Sequence, residues 1–130
     1  MVEGEKRESN LSHHQSLIST LFSRAKSMLT IFESIRKEFS VNDKGESFCS
    51  RRAIARMSGK RLSTIQNLLQ TIADRKLPHK MFKPFEGITF QVTDLIPDTL
   101  ASLIVQYYAF KGSETAQEYL MAFSAIGPLS

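Results

Sequence analysis

The sequence predicts a mainly α-helical chain of about five helices, with one short strand or hairpin near residues 88–92. Three observations carry that expectation. Long stretches free of Gly and Pro repeat apolar residues at spacings of three and four, the period of an amphipathic helix. Only one run, "ITFQVTD", is both β-branched and aromatic, and it marks a strand over Ile88–Val92. Hydrophobic residues make up 42% and charged residues 23%, which excludes a wholly disordered chain.

At 130 residues the chain fits one domain. A chain of that size buries roughly two-thirds of its unfolded surface, enough for a core without disulfides or metal. Cys49 is the single cysteine, so no internal disulfide forms, and a reducing compartment suits it. Residues 1–10, "MVEGEKRESN", have no apolar stretch of the signal-peptide kind. No apolar run reaches the roughly 18 residues of a membrane span. A cytoplasmic protein with no membrane partner is therefore expected.

Taken in order, residues 1–10 read as a flexible start and residues 11–39 as one long amphipathic helix. Its seam of Ile18, Leu21, Ala25, Met28, Phe32, Ile35 and Phe39 is spaced 3, 4, 3, 4, 3, 4, a heptad pattern. Leu17, Phe22, Leu29 and Ile31 widen the stripe, which then suits a globular core on one edge and a second subunit on the other. Ile18, Leu21, Met28, Phe32 and Ile35 are the expected dimer contacts. "SVNDKGE" has turn chemistry and ends this helix. Residues 47–76 read as two helices broken at "SGKR", and residues 77–93 as a basic loop leading into the short strand. Residues 94–130 read as a helical hairpin. Its first helix has Pro97 in the first turn, with Asp94 or a neighbour as cap, and its second helix is capped by Ser113.

Charge is strongly localised. Residues 51–84 hold nine Lys/Arg and a single acid, Asp74, whereas residues 1–50 are balanced at seven of each sign. Residues 85–130 hold one Lys and five acids. Such asymmetry points to a polyanionic partner for the middle segment. Signs of catalysis are sparse. His13 and His14 are adjacent, so a helix points them roughly 100° apart, and His79 and Cys49 stand alone. There is no phosphate-cradling glycine loop. The expectation is a protein that is not an enzyme and needs neither metal nor cofactor.

The stretch "SRRAIARMSGKRLSTIQNLLQ", Ser50–Gln70, has the parts of a helix-turn-helix. Ala55 is small enough for a crossing helix, Gly59 turns the chain four residues later, and Ile65 anchors the second helix six further on. Ser50 caps the first helix. With "ARMSG" followed by "STI", the stretch resembles the helix-turn-helix of bacterial and phage repressors. It departs from that pattern at Lys60, where an apolar residue usually follows the glycine. Leu62 comes two later, which implies a turn packed differently or lengthened.

If Ile65, Leu68, Leu69 and Ile72 point inward, the second helix presents Arg61, Ser63, Gln66, Asn67 and Gln70 outward. Amides of this kind bond to adenine, and Arg to guanine, in the major groove of double-stranded DNA. Arg51, Arg52, Arg56, Lys60, Arg75 and Lys76 are expected on phosphates. The segment "VTDLIPDTLASLIVQYYAFKGSETAQEYLMAFSAIG" resembles the C-terminal part of small cyanobacterial and phage proteins related to the KilA/antirepressor group. That resemblance rests on Tyr107, Tyr108, Ala109, Ala116, Phe123 and Gly127, and implies a DNA-associated regulator. A homodimeric, sequence-specific transcriptional regulator is thus the leading expectation. The rival is a protein-binding adaptor or antirepressor that acts on another regulator without reading DNA.

Overall fold

Two clusters of apolar side chains organise the chain, and helices supply most of both. A computed structural model describes residues 28–126. Among them, helix α1 (28–38) leads into strands β1 (Phe39–Val41) and β2 (Ser47–Cys49), then helices α2 (Arg51–Ser58) and α3 (Leu62–Ala73). A 3-10 helix (Lys80–Phe85) and strand β3 (Ile96–Pro97) precede helices α4 (Asp98–Phe110) and α5 (Glu114–Ile126). The mainly helical class agrees with the expectation from sequence.

The β structure differs from that expectation. Residues 88–92 do not form a strand. Instead a three-stranded antiparallel sheet has the order β1–β2–β3, with Phe39 opposite Cys49 and Cys49 opposite Ile96. Residues of "SVNDKGE" do turn the chain, but they close a hairpin. The Asn42 side-chain oxygen accepts from the N–H groups of Lys44 and Glu46 at 3.0 and 2.9 Å. Phe39, placed at the end of the helical seam by its spacing, is the first residue of β1. Ser47–Cys49 is a strand rather than a helix start, and Pro97 belongs to β3 and precedes α4. Asp94 does not cap α4; its carboxylate accepts the Gln91 N–H at 2.9 Å.

The larger cluster packs Ala53, Ile54 and Met57 of α2 and Ile65, Leu68, Leu69 and Ile72 of α3 against α4. Helix α4 buries Leu100, Ala101, Ile104, Val105, Tyr108 and Ala109, which is why apolar residues occupy most of its circumference. The smaller cluster joins α1 to α5. Ile35 is fully buried there with Ile31 and Ala122, and Met28 and Phe32 pack against them. Expected as a dimer contact, Ile35 serves this chain's own core. Ile18 and Leu21 lie outside the described residues.

The α2–α3 turn is fixed from outside. Gly59 has φ 65°, a left-handed conformation that L side chains rarely adopt. A Cβ there would stand 2.8 Å from Ser113 Oγ and 3.1 Å from Thr115 Cβ. Ser113 donates its hydroxyl to the Ser58 carbonyl at 2.8 Å and accepts the Ala116 N–H at 3.2 Å, so it caps α5 and pins α2 at once. Gly59→Ala should therefore lower stability by more than the roughly 1–2 kcal/mol of the backbone strain alone. Urea unfolding checks this, and an unchanged midpoint would show that the turn relaxes freely.

Candidate nucleic-acid interface

Helix α2 starts at Ser50, whose hydroxyl accepts the Ala53 N–H at 3.1 Å. It ends at Gly59, and Lys60 and Arg61 complete a three-residue turn into α3. Ala55 and Ile65 are both buried, as the spacing predicts. Leu62 opens α3 half-buried, which places the apolar residue after the turn rather than within it. Lys60, the departure from the repressor pattern, holds its ammonium 5.5 Å from the Tyr108 ring centre while staying exposed.

On α3, Ile65, Leu68, Leu69 and Ile72 are buried, and Ser63, Gln66, Asn67 and Gln70 are exposed. Arg61 stands exposed at the start of this helix. The five expected base-reading residues therefore share one helix, on the side away from the core. Two of them have partners within the helix. Gln70 donates its side-chain amide to Asp74 Oδ1 at 2.9 Å, so bidentate pairing with a base requires that bond to open. The Asn67 backbone carbonyl accepts the Thr71 hydroxyl at 2.8 Å, and the Asn67 side-chain amide is not used by that bond.

The expected phosphate contacts divide into two groups. Arg52, Arg61 and Lys76 are exposed, and their side chains make no ion pair or hydrogen bond among the described residues. With Lys60 they keep their charge available. Arg51, Arg56 and Arg75 are engaged within the chain instead. Arg56 pairs with Glu38 at the end of α1. Arg75, at φ 63°, lies 3.7 Å from Glu86 and packs over Gly87. Lys83 also reaches Glu86, at 2.8 Å, and that hydrogen bond holds the Glu86 carboxyl below the usual range.

Arg51 has the most specific role of the three. Its guanidinium donates to the backbone carbonyls of Val92, Phe90 and Asp94 at 2.9, 3.1 and 3.3 Å. Those carbonyls would serve a sheet ladder if residues 88–92 were a strand. The loop from Ile88 to Leu95 is thereby drawn alongside α3. Two open clefts lie between them, of about 210 Å³ toward Gln70 and Phe90 and about 290 Å³ toward Leu62 and Thr93. Ile88, Val92 and Leu95 are exposed on the loop. Spacing alone gave no sign of this flank; the Thr93-Asp94 pair, a turn signal, was its only local trace.

Among the described residues no group of three His, Cys, Asp or Glu side chains could hold a metal ion, and no helix is long and apolar enough to cross a membrane. His79 Nδ1 accepts the Met81 N–H. The Cys49 thiol is pushed from 9.0 up to about 12, chiefly by burial and secondarily by the charges of Glu38 and Asp98. Between those values the unfolded thiol loses its proton first, so folded stability should fall as pH rises. Unfolding curves of wild type and Cys49→Ala should show the wild-type advantage shrinking across that interval, and a constant difference would contradict it. No protein-family model, curated protein or solved structure matches the chain.

Proposed function

We propose that the chain is a sequence-specific DNA-binding protein of the bacterial or phage regulator type, acting in the cytoplasm as a homodimer. The observation that supports this best is the pairing of α2 and α3 through the Gly59 turn. It leaves an exposed polar face on α3 beside four cations, Arg52, Lys60, Arg61 and Lys76, with Asp74 the only acid in residues 51–84. In this reading the cations meet phosphates and set affinity, while Gln66 and Asn67 meet base edges and set specificity. Two subunits supply two half-sites, the usual way a single recognition helix reaches useful affinity.

A second reading rests on the exposed Ile88, Val92 and Leu95, apolar residues suited to a protein partner. In that case the protein is an adaptor or antirepressor, and the cations form a docking patch.

Salt separates the two. Phosphate contacts make affinity for DNA fall steeply with ionic strength. Arg52→Ala combined with Lys60→Ala should weaken binding to every duplex and flatten the log–log salt slope by about two units, one per lost contact. A shallow wild-type slope, or no change in the double variant, favours the adaptor.

The dimer has its own test. Leu29 and Met121 are exposed on α1 and α5, the helices of the smaller cluster, and a second copy would cover them. Leu29→Glu with Met121→Glu should leave the fold intact and shift sedimentation at micromolar concentration from dimer to monomer. A wild-type monomer with full DNA binding removes the dimer from the proposal.

A further inference from the structure

Three residues line both clefts between α3 and the neighbouring loop: Arg51, Gln66 and Val92. Gln66 projects from α3, and Val92 from the loop that Arg51 holds. At 84% exposure, Val92 is the most exposed of the large hydrophobic residues among those described. So exposed a side chain is open to an apolar contact from outside the chain. Its surroundings are equally specific. The loop carries no cation from Ile88 to Leu95, and its one charge, Asp94, is folded back onto the Gln91 N–H. Such a loop is poorly suited to gripping phosphates. Of its exposed apolar residues, Val92 is the one that lines both clefts, where it shares the lining with the Gln66 amide.

That combination matches an A·T base pair. In the major groove adenine offers an acceptor and a donor side by side, which a glutamine amide bonds bidentately. The thymine of the same pair offers a C5 methyl group, the one apolar feature on any base edge there. The methyl stands at the margin of the groove beside its own strand, and the loop stands at the flank of α3. We infer that Gln66 and Val92 together read one A·T base pair, and that Arg51 is the positioning residue that holds Val92 in place for it. The inference rests on the DNA-binding reading above and goes beyond it by naming the base pair and a reading element outside the two helices.

Arg51 is central because a loop without strand pairing has no backbone ladder to fix it. One guanidinium satisfies the carbonyls of residues 90, 92 and 94 together, through its planar fork of donors. Lysine keeps the charge but not the fork. This predicts that Arg51→Lys and Arg51→Ala behave alike, which a phosphate contact would not show.

The test uses the full chain and duplexes selected by it from a random-sequence library. The selected duplexes should share an A·T pair at one position. Replacing that thymine by uracil, which lacks only the methyl, should lower wild-type affinity about fourfold, the worth of one buried methyl. Val92→Ala should lose about as much on the thymine duplex and nothing more on uracil. Gln66→Ala should lose at least fivefold on the selected duplex and little on random DNA. Arg51→Ala and Arg51→Lys should both abolish the thymine preference while keeping the wild-type salt slope. If Val92→Ala still prefers thymine, or if Arg51→Ala flattens the slope and Arg51→Lys restores it, this inference fails and DNA binding stands. If no sequence is enriched and the salt slope is shallow, both fall.

Discussion

The close approach of the Gly59 turn to the start of α5 is the constraint on which the rest of the structure depends. A side chain at residue 59 would occupy the space of Ser113 Oγ, the atom that both caps α5 and holds the last carbonyl of α2. Because that contact joins residues 55 positions apart, it fixes the α2–α3 pair to the α4–α5 hairpin as one body. Helix α4 then packs between α5 and the α2–α3 pair, and its nearly continuous apolar surface follows from contact on several sides. The polar side of α3 is left outward because its apolar side is fully used.

Charge on α2 and around α3 acquires meaning only after that body is built. The nine cations of residues 51–84 look equivalent along the chain. In the fold, Arg51 is a brace for a loop, Arg56 a link to α1, and Arg75 and Lys83 share Glu86. The cations left without a partner among the described residues are fewer than composition suggests. Exposed ion pairs such as Arg56–Glu38 contribute modestly to stability. Their larger effect is on which charges remain to meet a polyanion.

What the sequence made legible was local. Ser50 and Ser113 each cap a helix through a neighbour three positions on, Gly59 turns the chain and Ile65 faces inward, and each stands where capping, turn and packing rules put it. The break before α3, at "SGKR", followed from the same rules. The strands were not legible, because two or three residues are too few for alternation to register, and they borrow their partners from residues far along the chain. The β-branched run at Ile88–Val92 misled for a physical reason: Arg51, some forty residues earlier, takes carbonyls that a neighbouring strand would have used. Of the candidate site, the outward face of α3 was visible in the periodicity, whereas the division of the arginines and the flanking loop depended on long-range pairing.

The two apolar clusters differ greatly in size, and this gives the molecule an uneven resistance to opening. Among the described residues, Ile31, Ile35 and Ala122 are the buried members of the cluster that holds α1, whereas α4 alone contributes six buried residues to the other. Local opening follows the number of buried contacts broken, so, counted over the described residues, the contacts of α1 open at a lower free energy than those of the body that carries α3. The face that would meet a partner thus stays ordered through excursions that release the first helix. Amide hydrogens of α1 would exchange early and those of α4 last, giving a graded structure in which one end yields while the other keeps its shape.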